Sequence, residues 1–123
     1  MCCRNQKDTK EVIPMNKELP ACPVETTLLL ISNKWKVLIL RDLMNGTMRY
    51  NELKKSIGAI SQKVLTSNLR SMEEDGLLSR EIFPEVPPRV EYTLTEKGKS
   101  LKPILDAMWV WGDAYQKDTT KII

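Results

Sequence analysis

The sequence predicts a mainly α-helical domain that carries one small β-hairpin. Three observations lead there. Apolar residues recur at helical spacing through most of residues 23–75, short β-like runs replace them after Gly76, and helical spacing returns from Thr95 onward. The 123 residues, 41% hydrophobic and 28% charged, suffice for one such domain and are too apolar for a disordered chain.

Residues 1–20 carry alternating charges with Pro14 and Pro20, and read as a mobile arm ahead of a domain over 21–117 and a short tail over 118–123. Pro23 suits a first helical turn, so Val24 to Ile31 is expected as a short apolar helix, interrupted by Ser32 and Asn33. The next helix spans Lys34 to Met44. Its apolar residues Trp35, Val37, Leu38, Ile39, Leu40, Leu43 and Met44 nearly surround the axis, which predicts a helix central to the core. Asn45-Gly46 accepts a left-handed conformation and ends it.

Thr47 to Arg49 is a short extended piece, and Tyr50 to Ser56 a brief helix broken at Gly58. Ser61 is a good N-cap for a helix over Gln62–Asp75, closed by Gly76. Leu65, Leu69 and Met72 form its apolar stripe, flanked by Val64. The opposite face carries Gln62, Lys63, Thr66, Ser67 and Arg70, with no acid until Glu73. Leu78–Phe83 and Arg89–Leu94 are the strands of a hairpin whose tip, Pro84 to Pro88, is stiffened by proline. Thr95 caps a last helix expected to run to about Lys117 despite Pro103.

Two helices joined by a short turn, the second polar on its outer face, followed by a hairpin, make a winged helix-turn-helix. The B-DNA major groove admits one α-helix, so a reading helix must pack on one face and hydrogen-bond with the other. Charge agrees with this. Between Lys34 and Arg70 eight cations face two acids, a net +6, while the whole chain carries only +3.

Enzymatic readings lose their raw material. The chain has no His, no Gly-rich phosphate loop and no paired carboxylates in a plausible cleft, and no cofactor is expected. Three cysteines without a His do not close a structural zinc site within one chain, so no metal is expected either. The odd cysteine count and the polar N-terminal residues predict reduced thiols in the cytoplasm, with no signal region, and no apolar run reaches the ~20 residues of a membrane span.

More specific patterns lie on this framework. Cys22-Pro23-Val24-Glu25-Thr26-Thr27-Leu28, Lys34-Trp35-Lys36, Arg49-Tyr50-Asn51-Glu52-Leu53 and Ile60-Ser61-Gln62-Lys63-Val64-Leu65-Thr66 occur in order. They are followed by Leu69-Arg70, Glu74-Asp75-Gly76-Leu77, Pro84 through Tyr92 and Leu94-Thr95-Glu96-Lys97-Gly98. Together they resemble the HxlR-type bacterial transcriptional regulators over about Cys22 to Trp111. The resemblance implies a winged-helix homodimer on double-stranded operator DNA, usually near its own or an adjacent gene. It also implies, for some members, sensing of a small electrophile or oxidant through a cysteine at the position of Cys22.

The candidate DNA contacts divide by chemistry. Gln62 and Arg70 can pair with adenine and guanine edges, while Ser61, Lys63, Thr66 and Ser67 equally suit phosphates. Arg89 beyond the proline tip is a candidate for the minor groove or backbone, or else pairs with Glu91. Lys34 and Lys36 either flank the duplex or solvate a helix start. Trp35 is expected in the core.

At Cys22 the helix dipole favours a reactive thiolate; the alternative is an inert apolar residue at a dimer interface. Cys2 and Cys3 either resolve an oxidised Cys22 as a disulfide or have no role. In the last helix Leu101, Ile104, Met108, Trp111 and Tyr115 form one apolar face, and Leu105 and Trp109 a second edge. This surplus, with Leu28 on the first helix, predicts a C2 homodimer. The competing function is a winged-helix protein-interaction module without DNA readout.

Overall fold

In the computed structural model, residues 19–122 are described. The expected arm, with Cys2 and Cys3, lies outside them apart from its last two positions. The order is α1 (Pro23–Leu30), α2 (Lys34–Leu43), β1 (Met48–Arg49), α3 (Tyr50–Ile57), α4 (Gln62–Glu74), β2 (Leu78–Phe83), β3 (Arg89–Leu94), α5 (Glu96–Lys99) and α6 (Lys102–Ile122). Mainly helical with a small antiparallel sheet and a wing, this is the fold class the sequence predicts.

α1 belongs to a compact unit that ends at Lys34; Trp35 onward forms a second. Cys22 is the N-cap of α1 in extended conformation, Pro23 occupies the first turn, and the Thr26 amide donates to the Cys22 carbonyl at 3.1 Å. No residue of α1 is buried.

The second unit is built on α2, α3 and α4. Ile39 and Leu40 of α2, Leu53 of α3 and Leu65 of α4 are fully buried, joined by Leu43, Leu69 and Met72. α2 is central but does not bury its whole circumference. Trp35, Val37 and Leu38 stay partly exposed, while Lys36 and Asp42 are buried. Residue type alone misplaces that face, because a lysine stem buries readily when its ammonium finds a partner.

The sheet has order β1-β3-β2 and is antiparallel throughout. β2 and β3 pair from Leu78↔Leu94 to Phe83↔Arg89, the expected hairpin. The extended piece before α3 becomes its third strand, with Met48 opposite Tyr92 and Arg49 opposite Glu91. β1 thereby ties the start of α3 to the wing.

The expected single last helix is two. α5 is capped by Thr95, whose Oγ1 accepts from the Gly98 amide at 3.1 Å, and the chain breaks at Ser100–Leu101 before α6. Pro103 has no N–H to continue the ladder back to Lys99, and its ring disfavours a helical residue before it. α6 then continues past Lys117 to Ile122. Its apolar face is mostly solvent-facing. Leu101 is buried, but Ile104, Met108, Trp111 and Tyr115 are exposed, as are Trp109 and Val110.

A candidate nucleic-acid interface

The turn Gly58–Ser61 ends α3 and starts α4. Gly58 sits at φ +84°, a left-handed turn conformation that a side chain would strain. Ser61 then caps α4, accepting from the Val64 amide at 3.1 Å. That bond occupies a lone pair of Ser61 and makes the residue a cap first.

Beyond the cap, α4 divides cleanly. Leu65, Leu69, Met72 and Asn68 are buried, and the Asn68 amide donates to the Val64 carbonyl at 2.8 Å. On the other face Gln62, Lys63, Ser67 and Arg70 are exposed and Thr66 is half-buried. These five, with Ser71 and Glu74, line one open concavity. Neither Lys63 nor Arg70 is ion-paired to any described residue, so both charges face solvent. The helix therefore presents amide, hydroxyl and cation groups along one strip.

The remaining expected contacts are placed differently. Lys36 is 7% exposed, and its Nζ donates to the Ser71 hydroxyl at 3.0 Å. Its ammonium braces α2 against α4 and is not available to a duplex. Lys34 is exposed at the start of α2. Arg89 is ion-paired to both Glu85 and Glu91, and its guanidinium lies 4.0 Å over the Phe83 ring. The wing arginine is thus neutralised and held by its own hairpin.

Sequence reasoning missed Tyr50 and Arg49. The Tyr50 hydroxyl reaches α4 twice, donating to the Gln62 carbonyl at 3.2 Å and meeting the Thr66 hydroxyl at 3.1 Å. A cleft opens between the start of α3 and the wing, lined by Arg49, Asn51, Glu85, Pro87, Arg89 and Val90 among others. Its signal was the β1 pairing, which is not visible in a two-residue run. At the far end of α4, Glu73 pairs with Arg80 of β2 at 3.3 Å, joining the helix to the wing. Burial pushes the Tyr92 phenol above its usual range, so it stays neutral near the Arg80 and Arg70 charges.

Cys22 is 9% exposed and disulfide-bonded. This corrects the expectation of reduced thiols, since an odd count excludes only complete pairing and leaves room for one bond. Among the described residues no cluster of His, Cys, Asp or Glu could hold a metal ion, and no helix is long and apolar enough to cross a membrane.

A capped helix with a polar outer face, a preceding helix and turn, and a three-stranded wing define a winged helix-turn-helix transcriptional regulator. The family model of the HxlR-like helix-turn-helix matches residues 30–120, and the chain belongs to that family. An uncharacterized HTH-type transcriptional regulator of Methanothermobacter thermautotrophicus is 52% identical over 94 residues, 76% of this chain and 72% of that protein. The reduced form of the redox regulator HypR superposes with a TM-score of 0.75 at 40% identity, covering 80% of this chain and 98% of that one. Diamide-treated YodB from B. subtilis gives 0.63 at 37% identity, covering 76% and 94%. These relatives are regulators, not enzymes, and so is this chain.

Proposed function

We propose that this regulator binds operator DNA sequence-specifically as a homodimer in the cytoplasm, laying α4 in the major groove, under control of thiol chemistry at Cys22. The observation that carries DNA binding is the α4 strip, where Gln62, Lys63, Thr66, Ser67 and Arg70 line one concavity with both cations unpaired among the described residues. An interaction module has no comparable need for a strip free of acids from Gln62 to Ser71 on the helix that the fold offers to a groove.

Binding to a duplex carrying the promoter of its own gene is expected to weaken steeply between low and physiological salt, by counterion release. Lys63→Gln should flatten that dependence by about one unit of log–log slope, whereas Arg89→Gln should leave it nearly unchanged because Glu85 and Glu91 already neutralise it. Affinity indifferent to salt would defeat the DNA reading.

Assembly is supported by α6. Trp109 and Trp111 are each 68% exposed, Trp111 stacks on Tyr115 at 5.3 Å, and Ile104, Met108 and Val110 extend the apolar surface, with Leu105 partly covered. Leu28 of α1 is also exposed, at 56%. Such a surface costs ~25 cal/mol per Å² in water, and a self-complementary C2 contact removes it. Two copies of α4 would then meet successive major grooves roughly 34–36 Å apart on an inverted repeat. Sedimentation at micromolar concentration should give a dimer that Trp109→Ala weakens; a monomer in both would rule the interface out.

Two observations support control through Cys22. HypR is a redox regulator, and Cys22 here already takes part in a disulfide. A small electrophile or oxidant is the corresponding effector. Starting from protein whose Cys22 has first been reduced, diamide is expected to change operator affinity in the wild type and not in Cys22→Ser. Equal responses would leave Cys22 a structural residue.

A further inference from the structure

The hydrogen bonds of Tyr50 fix the direction of a third group. A carbonyl only accepts, so the contact between the Tyr50 hydroxyl and the Gln62 carbonyl at 3.2 Å uses the single phenolic proton. The same oxygen lies 3.1 Å from the Thr66 hydroxyl, and with its own proton committed it acts there as acceptor. Thr66 is therefore the donor. Its proton points back at Tyr50, and what it offers outward is lone pairs. The side chain of Ser67, next on the exposed strip, has no hydrogen bond to a described residue, and its hydroxyl rotates to suit any ligand group.

From this we infer that Thr66 is a specificity determinant that accepts a hydrogen bond from an exocyclic amino group, adenine N6 or cytosine N4, and that Tyr50 is the positioning residue that sets its polarity. Phosphate oxygens are acceptors only and give Thr66 nothing to accept from. In the major groove the amino donors are the only base-edge groups that match a hydroxyl oriented this way, because guanine N7 and O6 and thymine O4 all require a donor. Half-burial of Thr66 adds to the discrimination, since an unmatched lone pair there loses water on complex formation. The inference rests on the DNA-binding reading above.

Selection of bound duplexes from a random-sequence pool by the full chain tests it. The wild type is expected to fix an adenine or cytosine amino group at one position, Thr66→Ser to keep that preference, and Thr66→Val to lose it by roughly 3- to 10-fold. Tyr50→Phe, which removes only the hydroxyl, is expected to relax the same position while the other positions and the melting temperature hold. Pools from Tyr50→Phe and Thr66→Val that match the wild type everywhere would overturn the inference, as would a uniform loss on all sequences, which marks a phosphate contact. A wild-type chain that selects no sequence at all fails at the earlier step, the DNA reading itself.

Discussion

Replacing Gly98 by alanine is expected to destabilise the fold by about 3 kcal/mol or more. A Cβ at this position would lie 2.1 Å from the Leu77 carbonyl oxygen and 3.1 Å from both the Leu77 carbonyl carbon and Leu94 Cδ2. The obstacle is backbone, and that backbone is held. The Leu77 carbonyl accepts from the Thr95 amide at 3.0 Å, and the Thr95 hydroxyl donates to the Gly76 carbonyl at 2.6 Å. Gly98 is helical, so the requirement is for space and not for an unusual φ. Helix propensity favours alanine over glycine by up to ~1 kcal/mol, too little to offset the clash. Thermal denaturation followed by circular dichroism should show a midpoint lowered by roughly 10 °C or more. A midpoint within a degree of the wild type would mean that the turn at Gly76–Leu77 yields freely.

The second large effect concerns the strip itself. Arg70→Ala is expected to weaken binding to the selected operator by about 1–3 kcal/mol, on the order of 10- to 100-fold, with little change on random DNA. Arg70 is the candidate with the most to lose. It is exposed, pairs with no described acid, and carries the planar fork that matches guanine O6 and N7. Gln62→Ala should behave alike at an adenine, with a smaller loss. Fluorescence anisotropy on operator and scrambled duplexes separates the cases. An equal loss on both duplexes would assign Arg70 to the phosphate backbone.

Local chemistry was enough to determine most of the element order from the sequence. Ser61 and Thr95 cap where they were expected to, both strands of the wing begin and end as read, and Gly46, Gly58 and Gly76 close helices or turns at positive φ. Each of these depends on residues within a few positions of one another. The polar strip of α4 was legible for the same reason, because helical spacing alone puts Lys63, Ser67 and Arg70 on the face away from Leu65, Leu69 and Met72, with Gln62 and Thr66 along its edge.

What only the tertiary structure decided involves partners distant in the chain. Lys36 lost its place among the DNA contacts because Ser71, on another helix, takes its ammonium. Arg89 is neutralised because the hairpin brings Glu85 and Glu91 to it together, and periodicity does not register a two-sided pairing. β1 became a strand only through β3, since two residues carry no alternation of their own. The Thr66 hydroxyl meets the Tyr50 hydroxyl, from sixteen positions earlier, at 3.1 Å. A residue type names the bonds a side chain is able to make, and the fold decides which of them are already made before a ligand arrives.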